Sequence, residues 1–118
     1  MLKDIPIFHK TYELMLWLYP QVNKFPKNQR FVLGQEIEKT GLNFLALIIR
    51  ANYNQEKSLF LKEASIEINV LLILIRFSKD LHFLSNRQYE FAALQINYIS
   101  NMLGGWLKYE EHKLRVFN

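Results

Sequence analysis

Apolar residues recur every three or four positions over long stretches of this chain, the period of a helix packed along one side. Four helices follow from that pattern. The first covers residues 5–22, with Asp4 as a candidate cap and Pro6 in the first turn. Phe8, Tyr12, Met15, Tyr19 and Val22 form its stripe, and Pro20 is expected to kink or end it. The second covers residues 26–52, with the stripe Leu33, Ile37, Gly41, Phe44, Ile48 and Ala51. The periodicity runs through Gly41, so that glycine reads as a close helix contact.

The third helix covers residues 55–83, with Asn54 as candidate cap and Phe60, Ala64, Ile68, Leu71, Ile75 and Leu81 facing inward. Its stretch from Ile68 to Phe77 contains only two polar residues, Asn69 and Arg76, so it reads as buried nearly all round. The fourth covers residues 86–107 and opens with Ser85-Asn-Arg-Gln88, a capping box. Its stripe is Phe91, Leu94, Tyr98 and Met102, with Ile99, Leu103 and Trp106 beside it. Gly104-Gly105 either ends this helix or admits another backbone. The charged tail, residues 110–118, is expected to fray.

Long amphipathic helices with short connections define an all-α fold, an antiparallel up-down-up-down four-helix bundle forming one domain over residues 1–118. The composition sharpens this. The chain has 118 residues, 50% of them hydrophobic, in a domain small enough to leave much surface exposed. Self-association is the expected second way to cover apolar surface. There are no cysteines, which excludes a disulfide framework, a zinc finger and an iron–sulfur site. The longest apolar runs, Leu14–Tyr19, Phe44–Ile49 and Val70–Ile75, have six residues each, against roughly 20 for a membrane span. With no leader pattern at its start, the chain reads as soluble and cytoplasmic, without a membrane partner.

Charge becomes informative once the bundle is drawn. The chain carries 15 Lys+Arg against 11 Asp+Glu, a net +4. The connections between the first two and the last two helices lie at the same end. Lys24, Lys27, Arg30, Arg76, Lys79 and Arg87 gather there against Asp80 and Glu90; six minus two leaves +4, and the remaining nine basic and nine acidic residues cancel. This is either a solvated helix end or a phosphate-binding rim. Among the aromatic residues, Phe25 and Tyr89 are the stacking candidates nearest that end.

Catalytic patterns are sparse. His9, His82 and His112 are far apart, no metal-ligand spacing occurs, and Glu63 with Glu67 reads as an exposed helical face, so no metal or cofactor is expected. Arg76-Phe-Ser-Lys-Asp-Leu-His82 has the Arg-x5-His spacing and resembles the active-site motif of the HEPN ribonucleases, in which arginine and histidine serve phosphate binding and acid–base cleavage.

Three longer blocks carry a more specific resemblance. Residues 11–38 include Trp17-Leu-Tyr-Pro20 and Phe25-Pro-Lys27; residues 72–89 include Arg76-Phe-Ser-Lys-Asp80; the third is Met102-Leu-Gly-Gly-Trp106. In this order they resemble the accessory variability determinant family of diversity-generating retroelements, over about residues 7–107. The broader superfamily resembles four-helix-bundle proteins encoded in intervening sequences of 23S ribosomal RNA genes.

The retroelement resemblance implies a homopentameric ring of bundles and a non-enzymatic partner of the retroelement reverse transcriptase. It also implies binding to template-repeat RNA or its complementary DNA, with no small-molecule substrate. Lys24, Lys27, Arg30, Arg76, Lys79 and Arg87 are then the expected nucleic-acid or polymerase contacts. Arg76 is alternatively an ion-pair partner of Glu36 or Glu38. Trp17, Leu72, Leu74, Gly104, Gly105 and Trp106 are the expected subunit interface. The other readings are an interaction protein of the intervening-sequence type and a ribonuclease using Arg76 and His82.

Overall fold

The computed structural model describes residues 5–117 as a rod of helices measuring 52 × 22 × 21 Å. Helix α1 spans Pro6–Asn23, a single turn α2 spans Lys27–Gln29, and a π-helical segment, Arg30–Gly34, leads into α3, Gln35–Tyr53. Helices α4 (Lys57–Asp80) and α5 (Asn86–Phe117) complete the chain, and no strand occurs among the described residues. The four long helices pack in the cyclic order α1, α3, α4, α5, so that α1 and α4 sit on a diagonal.

The core reads most directly from α3 and α4. Leu33, Ile37, Gly41, Phe44, Ile48 and Ala51 are all buried, as their spacing requires. Ala64, Ile68, Leu71 and Ile75 face them from α4. Gly41 is a close contact: a Cβ there would overlap the thioether of Met15 on α1.

The outer helices correct the sequence reading by one position. On α1 the buried line is Ile7, Thr11, Leu14, Leu18 and Val22, with Met15 beside it, while Tyr12 and Tyr19 lie outside. Thr11 occupies a core position because its hydroxyl donates to the Ile7 carbonyl oxygen at 2.8 Å, leaving its methyl to pack. On α5 the buried line is Ala92, Ile96, Ile99 and Leu103, and Phe91, Leu94 and Tyr98 are exposed. In both helices large aromatic rings drew the expected stripe away from a smaller residue that fits the core.

The helix ends also differ. The N-cap of α1 is Ile5, without a side-chain bond, and Asp4 lies outside the described residues. Pro20 sits inside α1, which continues to Asn23; Leu16 and Pro20 are both exposed, so water can reach the carbonyl that the proline leaves unpaired. Asn54 does not cap α4. Its amide donates back to the Arg50 oxygen at 2.7 Å, closing α3 instead. Lys57 strengthens that closure: its ammonium donates to the oxygens of Ala51 (2.8 Å), Asn52 (3.1 Å) and Asn54 (2.7 Å).

Helix α5 runs straight through Gly104-Gly105, and the tail expected to fray stays helical to Phe117. Trp106, Leu107 and Glu110 still pack on the bundle beyond the glycines, which outweighs their cost of about 1 kcal/mol each. Nothing lies within 4 Å of a Cβ placed on either glycine, so no backbone of this chain closes on them. The third helix is not buried all round within one chain: Val70, Ile73, Phe77 and Leu81 are exposed.

Candidate functional site

The basic end is built from three local motifs. The first ends α4. The Phe83 amide donates to the Ser78 oxygen at 2.8 Å and the His82 amide to the Lys79 oxygen at 2.9 Å, a Schellman closure. The residue that must turn left-handed in that motif is usually glycine; here it is His82, with φ 67°. Helix α4 therefore stops at Asp80 rather than continuing to residue 83.

The second motif starts α5. The Ser85 amide donates to Gln88 Oε1 at 2.8 Å, and the Gln88 amide donates to Ser85 Oγ at 3.1 Å. This is the capping box expected from the sequence. Gln88 extends it by donating from Nε2 to Gln21 Oε1 at 2.9 Å, which ties the start of α5 to the last turn of α1.

The third motif is the π-helical segment. It carries one residue more than an α-helical turn, and it brings Gly34 against the end of α1. A Cβ on Gly34 would lie 2.7 Å from Val22 Cγ1. Leu33 and Gly34 are buried there, whereas Phe31 and Val32 are 61% and 63% exposed.

These motifs bring the predicted cations to one end. Lys24 is the C-cap of α1, Lys27 begins α2, Arg30 begins the π segment, Lys79 lies in the last turn of α4, and Arg87 in the first turn of α5. Arg76 stands one turn further along α4. Lys24, Lys27, Arg76 and Arg87 are exposed. Arg30 is half-buried, and its Nε has no hydrogen-bond partner among the described residues.

Lys79 is the most constrained cation. Its ammonium lies 3.3 Å from Asp80 Oδ1 and 4.6 Å from the centroid of the Tyr89 ring. A shallow cleft of about 470 Å³ beside it is lined by Lys79, Asp80, His82, Ser85 and Asn86, among others. No ion pair joins Arg76 to Glu36 or Glu38 among the described residues, so the alternative partnering for Arg76 does not form.

The stacking candidates need correction. Phe25 is 2% exposed and packs on Phe83, with ring centroids 5.6 Å apart. Tyr89 is half-buried beneath Lys79. Phe31, which the sequence reading passed over, is an aromatic side chain that reaches solvent at this end. Its signal was the pair Phe31-Val32 directly before the buried Leu33, too many large apolar residues in a row for one inward stripe.

Of the expected interface residues, Trp17 is half-buried with its ring 4.8 Å from Phe91, and Leu72, Leu74 and Trp106 pack partly against the core of their own chain. Gly104 and Gly105 stand on open surface. No group of three or more metal-ligating side chains occurs among the described residues. Nor is any described helix long and apolar enough to cross a membrane.

A four-helix rod with a cationic end, where Lys79 is paired with Asp80 while Lys24, Lys27, Arg76 and Arg87 stand exposed, is a helical-bundle protein whose chemistry suits a polyanionic surface. The sequence comparison names the family: its model matches residues 6–110, and the chain belongs to the bAvd-like family. No curated protein matches the chain.

Proposed function

We propose that the chain is a non-enzymatic accessory subunit of a diversity-generating retroelement. In this reading it assembles as a homopentameric ring. It binds the retroelement reverse transcriptase together with template-repeat RNA or the complementary DNA copied from it, and so supports mutagenic retrohoming. The polymerase chemistry belongs to the reverse transcriptase; this chain supplies a rigid cationic scaffold.

The observation that carries the nucleic-acid part is the gathering of Lys24, Lys27, Arg30, Arg76, Lys79 and Arg87 around one end of the bundle. Cations on a rigid end displace counterions from a phosphate backbone, which gives salt-dependent binding with little sequence preference. Phe31, exposed beside Arg30, adds a face on which an unpaired base stacks. Family membership supports the retroelement part.

The test is co-purification of the tagged chain with its cognate reverse transcriptase and template-repeat RNA. Wild type is expected to retain both. Lys27→Glu with Arg30→Glu is expected to lower RNA affinity on the order of 100-fold near 0.1 M salt and to flatten the salt dependence. Its helical circular dichroism should match wild type. Retention of neither partner by wild type sinks the retroelement role. Metal-independent RNA cleavage lost in His82→Ala would establish the ribonuclease reading in its place.

A further inference from the structure

Helix α4 has a second apolar side that its own chain leaves uncovered. Leu59, Ile66, Val70, Ile73 and Phe77 are 59, 63, 41, 60 and 52% exposed. With Glu63 between the first two, they recur at intervals of four and three, the 3.5-residue period of a helix seam. At about 100° per residue the five apolar side chains share an arc of roughly 60°, opposite the buried line of Ile68, Leu71 and Ile75. They present on the order of 500 Å² of apolar surface, as much as the largest patch on a typical monomer.

From this we infer that the outward side of α4 docks head-to-tail on the α1/α5 side of a second copy of this chain. This deepens the assembly in the reading above and is independent of RNA. Charge argues against α4 pairing with itself. In a parallel pair, Glu63 meets Glu63 of the second copy inside the seam. In a full-length antiparallel pair of Lys57–Asp80, Lys62 falls within one residue of Arg76 and Glu67 falls opposite Val70 of the seam. The seam needs a different surface.

The α1/α5 side offers one. Phe91, Leu94 and Tyr98 are exposed there, Trp17 lies against Phe91, and the Lys10 ammonium stands 5.4 Å from the centroid of Tyr98. With basic ends aligned, the two surfaces are in register. At 1.5 Å per residue from that end, Phe77, Ile73 and Val70 stand at about 5, 11 and 15 Å, and Phe91, Leu94 and Tyr98 at about 8, 12 and 18 Å. Glu63, at about 26 Å, comes within reach of Lys10, at about 20 Å, so the polar member of the seam meets an opposite charge. The two stripes and their charged flanks together reach the roughly 1,000 Å² that a specific interface needs. A head-to-tail contact leaves one of each surface free on every chain end, so it closes only as a ring.

Complementation of two surface variants tests this. Ile73→Asp disables the α4 side alone and Leu94→Asp the α1/α5 side alone. Light scattering is expected to give a multiple of the 14.2 kDa chain mass for wild type and the single-chain mass for each variant. An equimolar mixture of the two is expected at twice the chain mass, because one intact surface of each kind remains. Glu63→Lys should weaken assembly, and adding Lys10→Glu should restore it.

Circular dichroism must show both variants helical, with Ile73→Ser and Leu94→Ser as milder substitutes. A monomeric wild type overturns the inference. So does a Leu94→Asp variant that keeps the wild-type mass, or a mixture of folded variants that stays monomeric. Failure to retain reverse transcriptase or RNA would leave all these masses unchanged; a monomeric wild type would remove the ring from both readings, whereas the Leu94→Asp and mixing outcomes bear on this interface alone.

Discussion

At one end of the rod a lysine is locked into the fold; at the other, lysines stand free in solvent. Lys57 donates to three carbonyl oxygens where α3 ends, and its charge neutralises the negative end of that helix. Lys24 and Lys27 make no such side-chain bonds among the described residues. At their end the backbone closes itself, through the left-handed turn at His82 and the Ser85–Gln88 box. The difference teaches that a count of charges is not yet a field. A cation contributes to a binding surface only where the backbone around it is already satisfied by something else.

The sharpest way to break this comparison is to disturb the closure at the basic end. Gly34→Ala places a methyl group against Val22, and an overpacked contact of this kind costs about 1–3 kcal/mol. Chemical denaturation should show that loss, and a drop in RNA binding should accompany it if the π segment shifts to relieve the clash.

Lys57→Met comes next. It strips the donor from three carbonyls and is expected to cost about 1–2 kcal/mol of unfolding free energy, while leaving nucleic-acid binding unchanged. Lys27→Met should do the reverse, with no change in stability and weaker binding. Equal stability losses in the two variants would erase the distinction between the ends.

His82→Gly sharpens the picture in the opposite direction. Glycine takes the left-handed conformation without a Cβ penalty, so this variant should be about 1 kcal/mol more stable than wild type and melt higher.

The smallest effect belongs to Glu38, whose carboxyl burial raises above the ordinary carboxylate range. In the interval between its ordinary and raised values the folded chain binds more protons than the unfolded one. Stability therefore falls as pH rises through that interval. Glu38→Gln should melt slightly higher than wild type at neutral pH, and the gap should close in acid below that range.

How much of this was legible in the sequence varies by element. The inner line of α3 was legible because its positions are apolar or are Gly41, which yields to Met15, whereas the buried Thr40 and Leu47 beside that line were not. The capping box at Ser85 was legible because its two partners are three residues apart. The core lines of α1 and α5 were not, since Thr11 and Ala92 look like surface residues and Tyr12 and Phe91 like core. Thr11 becomes a core residue only once its hydroxyl bonds within its own helix. The end of α4 was hidden because nothing in a histidine announces a left-handed turn. The cationic end was legible from topology; the exposure of Phe31 was signalled by the run Phe31-Val32-Leu33, although the π segment that turns it outward is a backbone irregularity that residue spacing does not encode.

That irregularity also adds a position to the rim without turning its neighbours. A π turn absorbs one extra residue locally, so the helix on either side keeps its phase. Deleting a single residue within Arg30–Gly34 would rewind the segment as a regular α-helix. Lys27 and the inner line of α3 would keep their azimuths, and the rim would lose one outward position of the kind that Phe31 and Val32 now fill. One codon is thus the difference between a bulged rim and a smooth one on the same core.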